Sequence, residues 1–143
     1  MPYTFLDDIA TADVAFEATG GNLEELFKEA SEATLATMIE EPDSVKPRTE
    51  RWIELENPEL DLLLFDLLQE LIFYKDAEQL LLRVIQIEVH GGGCGFSLRA
   101  LARGEKLDPD RHQQCADVKA VTLHDFIVEK TLRGWRSLVI LDV

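Results

Sequence analysis

Basic residues are scarce in this chain, and their scarcity excludes a great deal. Only 14 Lys and Arg stand against 28 Asp and Glu, a formal net charge of -14. Such a surface repels phosphate backbones, so strong direct capture of RNA or DNA is not expected; a protein with a basic surface, or a divalent cation, is the natural complement. Cysteine is equally sparse. Cys94 and Cys115 are the only two, with no CxxC spacing, which removes a disulfide framework and a redox motif and leaves reduced structural thiols as the expectation. A zinc set of His90, Cys94, His112 and Cys115 lacks finger spacing. Long apolar runs are missing as well. The most apolar stretch, Leu60 to Tyr74, is interrupted by Asp61, Asp66 and Glu70. Each acid costs about 2.5–3.5 kcal/mol at the centre of a membrane helix, so no span is expected there. The first residues, "MPYTFLDDIATADV", have no basic segment followed by an apolar one, and the expected location is cytoplasmic.

What is present reads as one domain over residues 1–143, 46% hydrophobic and without repeats or linkers. Thr11 to Ala18 alternate, with Ala12, Val14, Phe16 and Ala18 on one side and Asp13 on the polar other, the period of a half-buried strand. "GGNLEEL" supplies an N-cap at Asn22 with Glu25 three residues on, which starts a helix running from about Leu23 to Met38. A short strand follows over Arg48 to Leu55. "NPELDLLLFDLLQELIFY" begins a second helix, with Asn57 as cap and Pro58 at the first helical position. Its apolar residues cover most of the circumference, so it is expected to be the more buried helix. From Leu80 the chain turns to strands: Ile85, Ile87 and Val89 alternate, and "CGFSLRALARG" returns as a hairpin. Strands at Val118 to Val128 and Trp135 to Val143 complete an α+β fold, a mixed or antiparallel sheet with two helices packed on one face.

"HGGGCG" at His90 to Gly95 has neither the lysine of a phosphate loop nor a partner GxSxG elbow, and reads as a hairpin turn. The carboxylates are more informative. The chain ends "SLVILDV", placing Asp142 beside the carboxylate of Val143 at the end of an otherwise core-like strand. Adjacent negative charges are costly to desolvate unless something positive compensates. If the first and last of these strands are neighbours, Asp13, Asp142 and Val143 meet at one end of the sheet.

"TADVAF" (Thr11 to Phe16), "NLEELFKEA" (Asn22 to Ala30), "LLFDLLQELIFY" (Leu63 to Tyr74), "GEKLDPDRH" (Gly104 to His112), "VKAVTLHDF" (Val118 to Phe126) and the final "LDV" together resemble the archease family, in order and across nearly the whole chain. The resemblance implies an activator of the GTP-dependent tRNA-splicing RNA ligase, which promotes the ligase's guanylylation and multiple turnover without joining RNA itself. It also implies a divalent-cation site: the family's metal-binding aspartate falls on Asp13, and its final aspartate and carboxylate on Asp142 and Val143, with Glu40, or less directly Glu41, as a further ligand. Calcium is the ion expected in a structure; magnesium and manganese suit the same oxygen donors. Lys119 and His124 match the family's "VKAVTLH" lysine and histidine, the first as a contact for an anionic group and the second as a core or sheet-edge residue with a candidate activating role. Two positions depart from the pattern, Ala10 where the family has a histidine and Leu123 where it has an aromatic residue. Readings from other classes are a metal-dependent phosphoester hydrolase on the same carboxylates and a chaperone-like interaction module.

Overall fold

The computed structural model describes residues 3–6 and 13–143. Ala10, Thr11 and Ala12 lie outside the described residues. The chain proceeds as β1 (Tyr3–Leu6), β2 (Val14–Gly20), α1 (Leu23–Met38), a 3-10 turn at Pro42–Ser44, β3 (Thr49–Asn57), α2 (Leu60–Glu78), β4 (Leu80–Gly92), β5 (Gly95–Lys106), β6 (Ala120–Thr131) and β7 (Gly134–Asp142).

These strands form two sheets, ordered β1-β2-β7-β6 and β3-β5-β4, and their pairings are all antiparallel. The helices bridge the sheets: α1 packs on β2, β7 and β4, and α2 on β3, β4, β5 and β6. The α+β class stands as expected, with the strands divided between two sheets. The interior is built from Phe16, Phe27, Leu64, Leu67, Leu68 and Leu141, all fully buried. Each side chain of this kind contributes about 1.5–3 kcal/mol by leaving water.

Helix α1 starts as its capping chemistry dictates. Asn22 Oδ1 accepts the Glu25 N–H at 2.8 Å, and Glu25 Oε2 reaches back to accept the Gly21 N–H at 2.7 Å. Its buried Ser31, Thr34 and Thr37 hydroxyls donate to the carbonyls of Phe27, Ala30 and Ala33, so polar groups inside the core are satisfied within the helix. At its other end the Met38 and Thr37 carbonyls accept the N–H groups of Cys115 and Ala116. Carbonyls that a helix terminus leaves open therefore anchor the long segment before β6.

Three expectations are corrected. Asn57 is the last residue of β3, paired with Phe96, and α2 is capped by Glu59; the Asn57 side chain accepts the Glu59 N–H at 3.0 Å and donates to Asp66 at 3.0 Å. Strand pairing holds Asn57 extended, so the helix begins two residues later than expected, at Leu60, and Pro58 lies ahead of it, not at its first position. Helix α1 is the more buried of the two, because α2 buries one stripe, Leu63, Leu64, Leu67, Leu68, Leu71 and Ile72, and leaves Phe73 exposed. In β4 the register slips between Val84 and Gln86, so Val84 is buried and Ile85 faces outward. A bulge of this kind adds a residue and breaks the period of two.

Candidate functional site

The register of the four-stranded sheet fixes the site. β2 and β7 run antiparallel with Val14 opposite Leu141. Asp13, the bend residue just ahead of β2, and Asp142, the last residue of β7, come next on either side of that pair; a register continued by one step sets them opposite each other, on the same face of the sheet. On the other side of β7, Ala120 pairs with Asp142, and the Lys119 N–H donates to the Asp142 carbonyl at 2.8 Å. Asp142 is thus held from the β6 side, and both it and Asp13 are half-buried. Val143 packs its side chain against the core. The first long strand and the last strand meet at this corner, bringing Asp13, Asp142 and Val143 to one place.

Other expected site residues sit nearby without joining them. β2 runs away from Asp13 and α1 returns along it, so Glu40, just past α1, comes back to the same end; it is exposed, and its N–H donates to the Gln113 carbonyl at 2.8 Å. Among the described residues no three His, Cys, Asp or Glu side chains come close enough together to hold a metal ion, so neither Glu40 nor Glu41 completes a side-chain triad with Asp13 and Asp142. Lys119 is exposed at the start of β6. The segment before it is pinned by Lys75, whose ammonium donates to Asp117 Oδ1 and the Val118 carbonyl, both at 2.8 Å. Burial works to lower the Lys75 pKa, but the hydrogen bonds its ammonium donates to Asp117 and Asp76 outweigh that effect and hold the pKa above the ordinary value.

His124 lies in the edge strand β6, where the register breaks between Thr122 and Ile127. Asp125 takes a left-handed φ of 54°, Leu123 is exposed, and the His124 side chain is 78% exposed with Nε2 3.4 Å from Asp125 Oδ2. It is a sheet-edge histidine, open to a partner and not part of the core. The residues of the zinc reading are dispersed in role: Cys94 and Cys115 are free and exposed, while His112 is buried against Glu105.

That buried pair belongs to a network the sequence displayed only as the spacing of Glu105, Asp108 and His112. Glu105, 4% exposed, accepts the Lys46 N–H at 2.8 Å, Arg48 Nε at 3.2 Å and Arg111 Nη2. His112 Nδ1 accepts the Asp108 N–H at 2.9 Å, which assigns the proton to Nε2, and Nε2 donates to Glu105 at 3.0 Å. Burial alone would raise the Glu105 pKa. The hydrogen bonds from Arg111, Lys46 and His112 outweigh it and bring the pKa down to about 2. Glu105 therefore stays ionised and ties β5 to the turn after it and to the segment before β3.

Chemically, a pair of facing carboxylates repels itself until a cation neutralises it, and all-oxygen donors suit a hard divalent ion. Two antiparallel sheets bridged by two helices, with such a pair where the first long strand meets the last, define a small α+β protein with an acidic candidate site at one corner. The family model described as "Archease protein family (MTH1598/TM1083)" matches residues 3–143. Protein archease of Pyrococcus abyssi is 36% identical over 93% of this chain and 94% of its own, and that of Methanopyrus kandleri is 36% identical over all of both chains. Among solved structures, the solution structure of Methanobacterium thermoautotrophicum protein 1598 superposes with a TM-score of 0.85 at 31% identity, covering 99% of each chain. A crystal structure of an archease from Thermotoga maritima, described as a possible chaperone, has the same fold at a TM-score of 0.65 and 21% identity, over 94% of this chain and 93% of its own. The chain belongs to the archease family.

Proposed function

We propose that this protein activates the GTP-dependent tRNA-splicing RNA ligase, promoting its guanylylation and repeated turnover, with Asp13, Asp142 and the Val143 carboxylate holding a divalent cation. The observation that supports this reading is the β2–β7 register, in which Asp13 and Asp142 are the next residues out from the Val14–Leu141 pair and Val143 follows in the chain. Calcium, magnesium and manganese all suit such donors. Lys119 and the exposed His124 border the same strand, β6, and are candidates to touch the ligase or its nucleotide. The protein acts by stabilising a productive ligase state, so its effect is differential affinity for that state and requires the ligase to be present. A cytoplasmic location belongs to the same reading. So does the absence of strong nucleic-acid binding, given the net charge of -14.

Single-turnover guanylylation of the cognate ligase tests it, with wild type and Asp13→Ala compared. We expect wild type to accelerate the step and Asp13→Ala to lose most of that acceleration; equal rates with and without wild type would withdraw the proposal. A chaperone-like role is the second reading, suggested by the description of the Thermotoga maritima protein. Suppression of aggregation of unrelated clients, unchanged in Asp13→Ala and in chelator, would favour it. Metal-dependent turnover of phosphoesters by the isolated protein would assign the carboxylates to hydrolysis instead.

A further inference from the structure

In a chain so poor in cations, four of its 14 Lys and Arg line a single cavity of about 430 Å³: Arg48, Arg51, Lys106 and Arg111. The cavity lies between the start of β3, the end of β5 and the turn that follows it, and Thr49 and Leu80 supply uncharged wall. Its volume falls in the range of small-molecule sites, about 300–1,000 Å³. None of these four residues belongs to the Asp13–Asp142 corner.

The three arginines are held in place by carboxylates that engage only part of each. Glu105 accepts from Arg48 through Nε alone, at 3.2 Å, and from Arg111 through Nη2. Arg111 Nη1 donates to the Ser44 carbonyl at 3.0 Å, which completes its clamp. Glu78 accepts from Arg51 Nη2 at 2.9 Å. Asp108, the third carboxylate of the lining, is turned into its own loop, where Oδ1 accepts the Asp110 N–H at 3.0 Å. Both Nη groups of Arg48 and the Lys106 ammonium have no protein partner among the described residues. A guanidinium anchored at Nε by a buried carboxylate, with an ammonium lining the same cavity, offers charged donors to tetrahedral oxyanions.

We propose that this cavity is a binding site for a small oligophosphate anion, either free pyrophosphate or the phosphate chain of a nucleotide. Two separated donor groups in one cavity match an anion with more than one phosphoryl group. The site is independent of the ligase-activator reading, since it needs neither the ligase nor the Asp13–Asp142 corner.

Calorimetric titration of the full chain with pyrophosphate and with GTP, in the presence of chelator so that no metal bridges to Asp13, tests the proposal. We expect saturable binding that weakens as salt rises. Lys106→Gln, which removes no contact within the fold, and Arg48→Gln should each weaken it about tenfold, while Asp13→Ala leaves it unchanged. Binding of pyrophosphate without GTP identifies the free anion as ligand, and binding of GTP identifies the nucleotide. Failure of both to bind overturns the proposal. So does equal affinity in wild type and in a Lys106→Gln, Arg48→Gln double variant whose circular dichroism shows it folded.

Discussion

Glu105 shows how one side chain can organise a region. It is a buried carboxylate in a protein whose exposed carboxylates outnumber its cations, and it collects an Arg, a second Arg, a backbone N–H and a neutral His. Its folded pKa of about 2 lies below the ordinary value of 4.5. A depressed carboxylate pKa contributes stability that is present above the unfolded value and is lost as pH falls through the folded one. Glu105→Gln should therefore cost about 2 kcal/mol at neutral pH, discounted because Arg48 and Arg111 reach solvent, and lower the melting temperature by about 6 °C. The difference between wild type and variant should shrink between pH 4.5 and pH 2. Urea unfolding at pH 7 and near pH 2.5 checks both expectations, and a constant difference at the two pH values would show that Glu105 acts by packing alone.

Elements differ in how far their chemistry is local, and that decides what the sequence reveals. The β6–β7 turn is local in its backbone and distant in its packing: Gly134 has a φ of 147°, and a side chain there would run into the Gly20 carbonyl and Gly21 at the far end of β2. Gly134→Ala should destabilise by about 2 kcal/mol. Gly92→Ala, where a methyl group would meet nothing, should stay within about 0.5 kcal/mol of wild type in the same denaturant titration. The bounds of α1 were likewise legible, because Asn22, Glu25 and the spacing of Leu26, Phe27 and Ala30 act within a few residues of one another. Asn57 misled because its pairing with Phe96 across β3–β5 is non-local and overrides its value as a cap. Ile85 misled for the same reason, since a bulge is decided by the partner strand. The comparative burial of α2 was illegible because it depends on how two sheets close around the helices, and apolar content alone does not say which side faces them.

On the scale of the whole molecule, the candidate carboxylate corner is a product of topology. Asp13 and Asp142 stand at opposite ends of the sequence, and only the central placement of β2 and β7 in the order β1-β2-β7-β6 makes them neighbours. Residue types and the resemblance of "TADVAF" and "LDV" named the pair, whereas its adjacency needed the register of Val14 with Leu141. The same topology makes the corner separable from the fold. Asp142 and Val143 follow Leu141, which is buried and paired with both Val14 and Val121, so removing the final two residues leaves those pairings intact. What is lost is the Asp142 pairing with Ala120, the bond from the Lys119 N–H and the packing of Val143, contacts worth about 1–2 kcal/mol together. A chain ending at Leu141 should still unfold cooperatively, with a melting temperature lowered by these lost contacts and further by the desolvation of a new terminal carboxylate on buried Leu141. It should bind calcium or manganese at least tenfold more weakly, because both proposed ligands of the chain end have gone. Asp13→Ala should weaken metal binding to a similar degree through the other partner of the pair. Calorimetric titration of both variants, beside thermal unfolding of each, separates the two effects. Unchanged metal affinity in both would mean that the facing carboxylates hold no cation, and the ligase proposal would then have to rest on His124, Lys119 and the acidic surface alone.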